Sequence, residues 1–169
     1  MSQLLLCNLP CQGALLTEDR LYRFRLWRRW GDGPMVAFLG LNPSTADETR
    51  NDPTVRRCIR YAMDWGKAGM FMLNLYGWRS TDPAPLWDGS VVDPVGPGHD
   101  QHLLDVGRQV DFVVCAWGAF RKAQARGRQV LDMYAAAGVQ IRILQLTQQG
   151  FPAHPLYLPA DLKPRPWSQ

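Results

Sequence analysis

The sequence predicts an α/β fold: a three-layer α/β/α sandwich around a mainly parallel four-stranded sheet, with one antiparallel edge strand. Three observations carry that prediction. Apolar runs at 35–41, 69–75, 111–118 and 139–146 are each short enough for a buried strand. Amphipathic segments separate them, as parallel crossovers require. The first run is wholly apolar and the others largely so, which marks strands of a parallel sheet covered on both faces.

Taken in order, "LYRFRLWRRW" (21–30) alternates, with Tyr22, Phe24 and Leu26 on one face and Arg23 and Arg25 on the other. That is the period of a half-buried strand. "GDGP" (31–34) supplies a turn, so this strand is expected to pair antiparallel with "MVAFLGL" (35–41). Asp52-Pro53 gives an N-cap followed by proline in the first helical turn. Val55, Ile59, Ala62 and Met63 then recur at helical spacing until Gly66. "GMFMLNL" (69–75) is the second buried strand, followed by a Pro/Gly-rich excursion over 76–98 that is too long for a mere connector. A helix near 99–109, a strand in "DFVVCAWG" (111–118), a helix near 119–137 and a strand in "VQIRILQL" (139–146) complete the pattern.

The 169 residues fit one domain, 1–169, with residues 1–20 as an N-terminal extension and a core of about 21–160. At 46% hydrophobic and 20% charged the composition is that of a soluble globular protein, and no apolar run can cross a bilayer. "MSQLLLCNLP" lacks the basic start of a secretion signal, and Cys7, Cys11, Cys58 and Cys115 are scattered, without zinc spacing. Reduced thiols in a cytoplasmic protein are expected, with no cofactor, no metal and no membrane partner. The net charge of +4 is carried by 16 arginines against three lysines. Arginine suits bidentate phosphate contacts and stacking on bases, although a GC-rich genome gives the same bias.

In a parallel sheet, ligands bind beyond the carboxyl ends of the strands. Four segments lie there: "GLNPS", "NLYGWRSTDP", "AWG" and "FPAHPLYLP". In order, they resemble the motif series of the uracil-DNA glycosylase superfamily. Gly40-Leu41-Asn42-Pro43 resembles its Gly-x-Asp/Asn-Pro turn, and Met72-Leu73-Asn74 its strand ending in a base-reading Asn. Trp117-Gly118 is similar to its third strand end, and His154-Pro155 to its His-Pro turn. From about 20 to 160 the chain also resembles a bacterial and phage domain-of-unknown-function family, number 1643. That likeness rests on "LNPSTAD", "NDPTVRRC", "NLYGWRSTDP", "DPVGPGHD" and "HPLYL", and it brings no assigned activity.

The glycosylase resemblance implies a pocket for a nucleobase. Asn74 would read the base edge through its amide. His154 would donate to a base oxygen as negative charge develops, and Asn42 would orient water. Pro43, Ser44, Trp117, Tyr157 and Arg79 are expected to complete the substrate site. Asn42 cannot take a proton as Asp does, and Leu156 follows His154-Pro155 where duplex-invading glycosylases carry Ser; both are departures from the pattern. Thr54, Arg56 and Arg57 at a helix start form a candidate phosphate site. Each residue has a plainer alternative: Asn74 as a loop cap, His154 as a packed loop histidine, Asp52 as a helix cap, the arginines as a solvated face. His99 and His102 read as surface residues.

Three expectations stand. The first is a domain recognising a nucleobase in nucleic acid, single-stranded strands included, and hydrolysing an N-glycosidic bond. The second is an enzyme or sensor for a free nucleotide or nucleoside. The third is a catalytically inactive nucleic-acid-binding module.

Overall fold

A computed structural model of the chain describes residues 11–168. Seven strands form one mixed sheet: β1 (Gln12–Leu16), β2 (Arg23–Arg29), β3 (Met35–Gly40), β4 (Gly69–Asn74), β5 (Val113–Cys115), β6 (Ile141–Ile143) and β7 (Arg165–Pro166). Their spatial order is β1-β2-β4-β3-β5-β6-β7. The parallel core is β4-β3-β5-β6, flanked by antiparallel β2 and β1 on one side and β7 on the other.

Among the described residues three helices cover the sheet: α1 (Pro53–Asp64), α2 (His99–Gly107) and α3 (Gln124–Ala136). Along β3, Val36 and Phe38 join Val55, Cys58, Tyr61 and Ala62 of α1 in one apolar cluster. Met35, Ala37 and Leu39 join Leu103, Val106, Val130 and Tyr134 of α2 and α3 in the other. Side chains alternate along a strand, so α1 covers one face and α2 and α3 the other. The chain leaves β3 towards β4 on the α1 face and reaches β5, on the other side of β3, over the opposite face. A crevice opens at such a switch point, beyond the carboxyl ends of the strands.

Several expectations are corrected. β2 does not pair with β3; it lies beyond β4, with Leu26 opposite Met72 and Arg29 opposite Gly69. Nor is it an edge strand, because β1, drawn from the expected N-terminal extension, pairs along it. At the far side β7 pairs with β6, so the sheet continues past residue 160. The fourth parallel strand is only three residues long. No helix among the described residues is long and apolar enough to cross a membrane. Cys58 and Cys115 are buried free thiols and Cys11 is exposed; Cys7 lies outside the described residues.

β2 is also not half-buried. The pairing register shifts so that Leu15 faces Arg25 and Leu16 faces Arg23, which leaves Phe24 as the extra residue of a bulge. Phe24 packs on His99 and His102 of α2, whereas Leu26 belongs to the cluster under α1. The simple alternation therefore fails, and Arg23 is buried at 2% exposure. Arg28, further along the strand, donates to the carbonyls of Asp47 and Arg50 and to Asn51 Oδ1 at 2.7, 3.1 and 2.8 Å. The segment joining β3 to α1 is thus moulded on arginines of β2.

His99 is a further correction, since it is almost fully buried. Its Nε2 donates to the Asn74 carbonyl at 2.6 Å and so ties the start of α2 to the end of β4. Burial pushes its pKa from 6.5 down to about 4, and the neutral ring is the folded form. The unfolded chain then binds the extra proton between these values, so stability is complete above pH 6.5 and falls as pH drops towards about 4. A loss of about 3 kcal/mol is expected over that window. Denaturant unfolding at several pH values checks this, and His99→Gln, which keeps a donor without a titrating ring, flattens the profile.

Candidate functional site

A cavity of about 470 Å³ opens at the carboxyl ends of the parallel strands. Gly40, Asn42, Asn74, Trp117 and His154 all line it, so each of the four expected strand-end segments contributes. Ser44, Thr54 and Tyr157 line it as well, so eight of its lining positions are readable from motif and architecture together.

Asn74 is 3% exposed at the last position of β4. Arg23 Nη2 donates to its Oδ1 at 3.1 Å. A guanidinium has donors only, so the amide must turn its oxygen to Arg23, leaving the two N–H donors for other partners. The register sets Gly40 opposite Asn74, and a Cβ on Gly40 would come within 2.9 Å of the Asn74 nitrogen. Glycine here gives the amide its room. His99 holds the same residue from behind through its carbonyl.

Asn42 is turned the opposite way. Its Nδ2 donates to the carbonyls of Ser80, Pro43 and Trp78 at 2.9, 3.2 and 3.4 Å. Ser80 N returns a bond to the Pro43 carbonyl at 2.9 Å. The Asn-Pro turn therefore anchors the long 76–98 segment, which adds Ser80, Thr81 and Pro83 to the cavity wall. With its nitrogen committed to carbonyls, Asn42 offers the cavity an acceptor oxygen.

His154 Nδ1 accepts from Leu156 N at 3.3 Å, which assigns the ring proton to Nε2. Burial lowers its pKa and nearby Asp52 opposes that shift, so the ring is neutral at pH 7 and Nε2 is a donor. Asp52 itself caps α1, accepting from Val55 N at 2.8 Å through Oδ1, and lines the cavity. Cap and carboxylate of the site are one residue. The cap's position at the strand ends makes the two roles compatible.

Arg23 is the residue that sequence reasoning missed. It lines the cavity, donates from Nη1 to the Ala46 carbonyl at 3.0 Å, and forms no salt bridge within 4.0 Å among the described residues. Burial, its largest influence, pushes the guanidinium down to about 10, which still leaves it charged at neutral pH. A buried cation without a contacting carboxylate is costly and belongs where a ligand can use it. Only the bulge at Phe24, invisible in the alternating pattern, could have announced it.

Other expected site residues lie elsewhere. Pro43 is buried beside the cavity without lining it. Arg56 donates to Asn51 O at 2.7 Å, and Arg57 lies over the Tyr61 ring at 5.9 Å. Arg79 donates to Arg20 O at 3.1 Å. None of these three arginines lines the cavity, so the phosphate group of Thr54, Arg56 and Arg57 is not assembled as expected. The Trp117 indole packs 6.0 Å from Trp167 and against Gly127 of α3, as a core ring. The aromatic wall is Phe120 and Tyr157, both exposed. Among the described residues no group of three His, Cys, Asp or Glu side chains could hold a metal ion.

Gly40→Ala tests this packing. Asn74 must shift to admit the methyl group, and a stability loss of about 1–3 kcal/mol is expected in denaturant unfolding. Gly31→Ala, whose Cβ would find its nearest atom at 3.8 Å, leaves stability nearly unchanged.

Neither a curated protein nor a solved structure matches the chain. A family model does match, over residues 23–156, a span that begins at the buried Arg23 and contains every lining residue named above except Tyr157. The chain belongs to the family described as Protein of unknown function (DUF1643).

Proposed function

We propose that this domain recognises a nucleobase in nucleic acid and hydrolyses its N-glycosidic bond, in the manner of the uracil-DNA glycosylases its strand-end motifs resemble. One observation carries the reading: Asn74, its oxygen held by Arg23, directs N–H donors into a cavity shared with Asp52, Asn42 and the Nε2–H of His154. A carbonyl-bearing base edge complements such donors. About 470 Å³ lies within the usual range of small-molecule sites.

The chemistry follows from the charges. Asp52 takes a proton from water while the Asn42 oxygen orients it, and the water oxygen bonds to the sugar carbon. The carbon–nitrogen bond breaks and its electron pair leaves with the base. The His154 Nε2–H, the Asn74 amide and the Arg23 charge stabilise that developing anion. The proton from water ends on the departed base. Asp52 thereby supplies the carboxylate that Asn42 lacks.

Single-turnover base release from single strands containing uracil, hypoxanthine or hydroxymethyluracil tests the proposal. His154→Ala lowers the chemical step by roughly 10²–10³. Asp52→Asn, which still caps the helix, lowers it by roughly 10²–10⁴. Release of no base from any of these strands by the wild type would contradict hydrolysis.

A further inference from the structure

A second groove, of about 570 Å³, adjoins the cavity and shares Trp117 with it. Three cations line it: Arg121, Lys122 and Arg128. No Asp or Glu is among its lining residues, and none of the three cations forms a salt bridge among the described residues. All three are exposed. Arg126, on the same stretch of chain, is by contrast buried and paired with Asp100. The structure thus separates a neutralised structural arginine from three exposed cations, of which Lys122 lies 6.0 Å over the Trp87 ring.

The two depressions meet at one turn. Gly118, at φ +83°, donates to the Pro152 carbonyl at 2.8 Å; Gly118 lines the cavity and Pro152 the groove. Immediately after this turn come Ala119 and Phe120 on the cavity wall, then Arg121 and Lys122 in the groove. Phe120 is 37% exposed and Tyr157, which lines the same cavity, is 85% exposed. Exposed rings beside a line of open cations are the two elements of a single-strand binding surface, where bases stack and phosphates follow the charge.

Resting on the nucleobase reading above, we propose that Arg121, Lys122 and Arg128 hold the phosphodiester backbone of a single-stranded nucleic acid. The target nucleotide turns into the cavity and its neighbours pass between Phe120 and Tyr157. The substrate is then a polymer and not a free nucleotide, because a mononucleotide occupying the cavity has no use for a groove beyond Trp117. Arg121, in the 3₁₀ turn that leads into α3, and Arg128, within α3, both line the groove seven positions apart. That separation suits successive phosphates better than a single anion.

Equilibrium binding of uracil-containing and unmodified single strands over a range of salt concentrations tests the groove. Neutralising three phosphate contacts steepens the log K against log[salt] slope by about 2. The variant Arg121→Ala/Lys122→Ala/Arg128→Ala therefore loses about that much slope, with a tenfold or greater fall in affinity at low salt for both strands alike. Asn74→Ala keeps the slope and loses only the preference for the modified base. Arg60→Ala/Arg108→Ala, which removes two exposed arginines outside the groove, alters neither. A triple variant with wild-type affinity and slope would overturn the backbone track while leaving the base pocket standing. Binding of uridine without binding of any strand at low salt would also overturn it, and would make the substrate a free nucleoside. Failure of the base pocket has a different signature: salt-dependent strand binding that Asn74→Ala does not change.

Discussion

The contact between Arg23 and Asn74 orders the rest of the site. A guanidinium can only donate, and burying it at 2% exposure is expensive unless each N–H finds an acceptor. The Asn74 oxygen and the Ala46 carbonyl take Nη2 and Nη1, while Nε stays buried without a hydrogen-bond partner. In doing so they determine which atoms of Asn74 face the cavity. They also leave a positive charge beside it that no carboxylate among the described residues contacts. Gly40 opposite and His99 behind fit around the same amide, one by lacking a side chain and the other by holding its backbone.

The connection from β3 to α1 depends on the same strand. Arg23 takes Ala46, Arg28 takes Asp47, Arg50 and Asn51, and Arg20, three residues before the strand, pairs with Glu48 at 2.7 Å. With its carbonyls satisfied in this way, the segment can run over the sheet and deliver Asp52 to both the helix start and the cavity. Asn42 braces the opposite wall through Ser80 and Trp78. The cavity is therefore assembled from two long connections, each pinned by hydrogen bonds from an interior side chain. Such pinning gives irregular segments the rigidity that preorganised donors and acceptors require.

Much of this was legible in the sequence. The four parallel strands and three helices follow from apolar runs and helical periodicity, and the Asp52 cap from its proline. The parallel rule then gathers Asn42, Asn74, Trp117 and His154 at one end of the sheet. What was not legible depended on pairings beyond local pattern. A bulge at Phe24 inverted the face of Arg23, and β2 paired with β4 where the short turn suggested β3. β7 has only two residues, and β1, Gln-Gly-Ala-Leu-Leu, does not alternate, so neither shows a strand period. Arg56, Arg57 and Arg79 have suitable chemistry at suitable positions in the chain, yet each is spent on a neighbouring backbone oxygen or ring. Chemistry alone does not show where a long side chain ends.

The central claim is that Asn74 presents its amide protons to a base because Arg23 holds its oxygen. The side-chain ¹⁵N–¹H resonances of Asn74 report this directly during titration with single strands containing uracil, hypoxanthine or hydroxymethyluracil. A saturable shift of those amide protons, absent with an abasic strand of the same length, is the predicted result. A strand that binds with the Asn74 amide resonances unmoved would contradict the account.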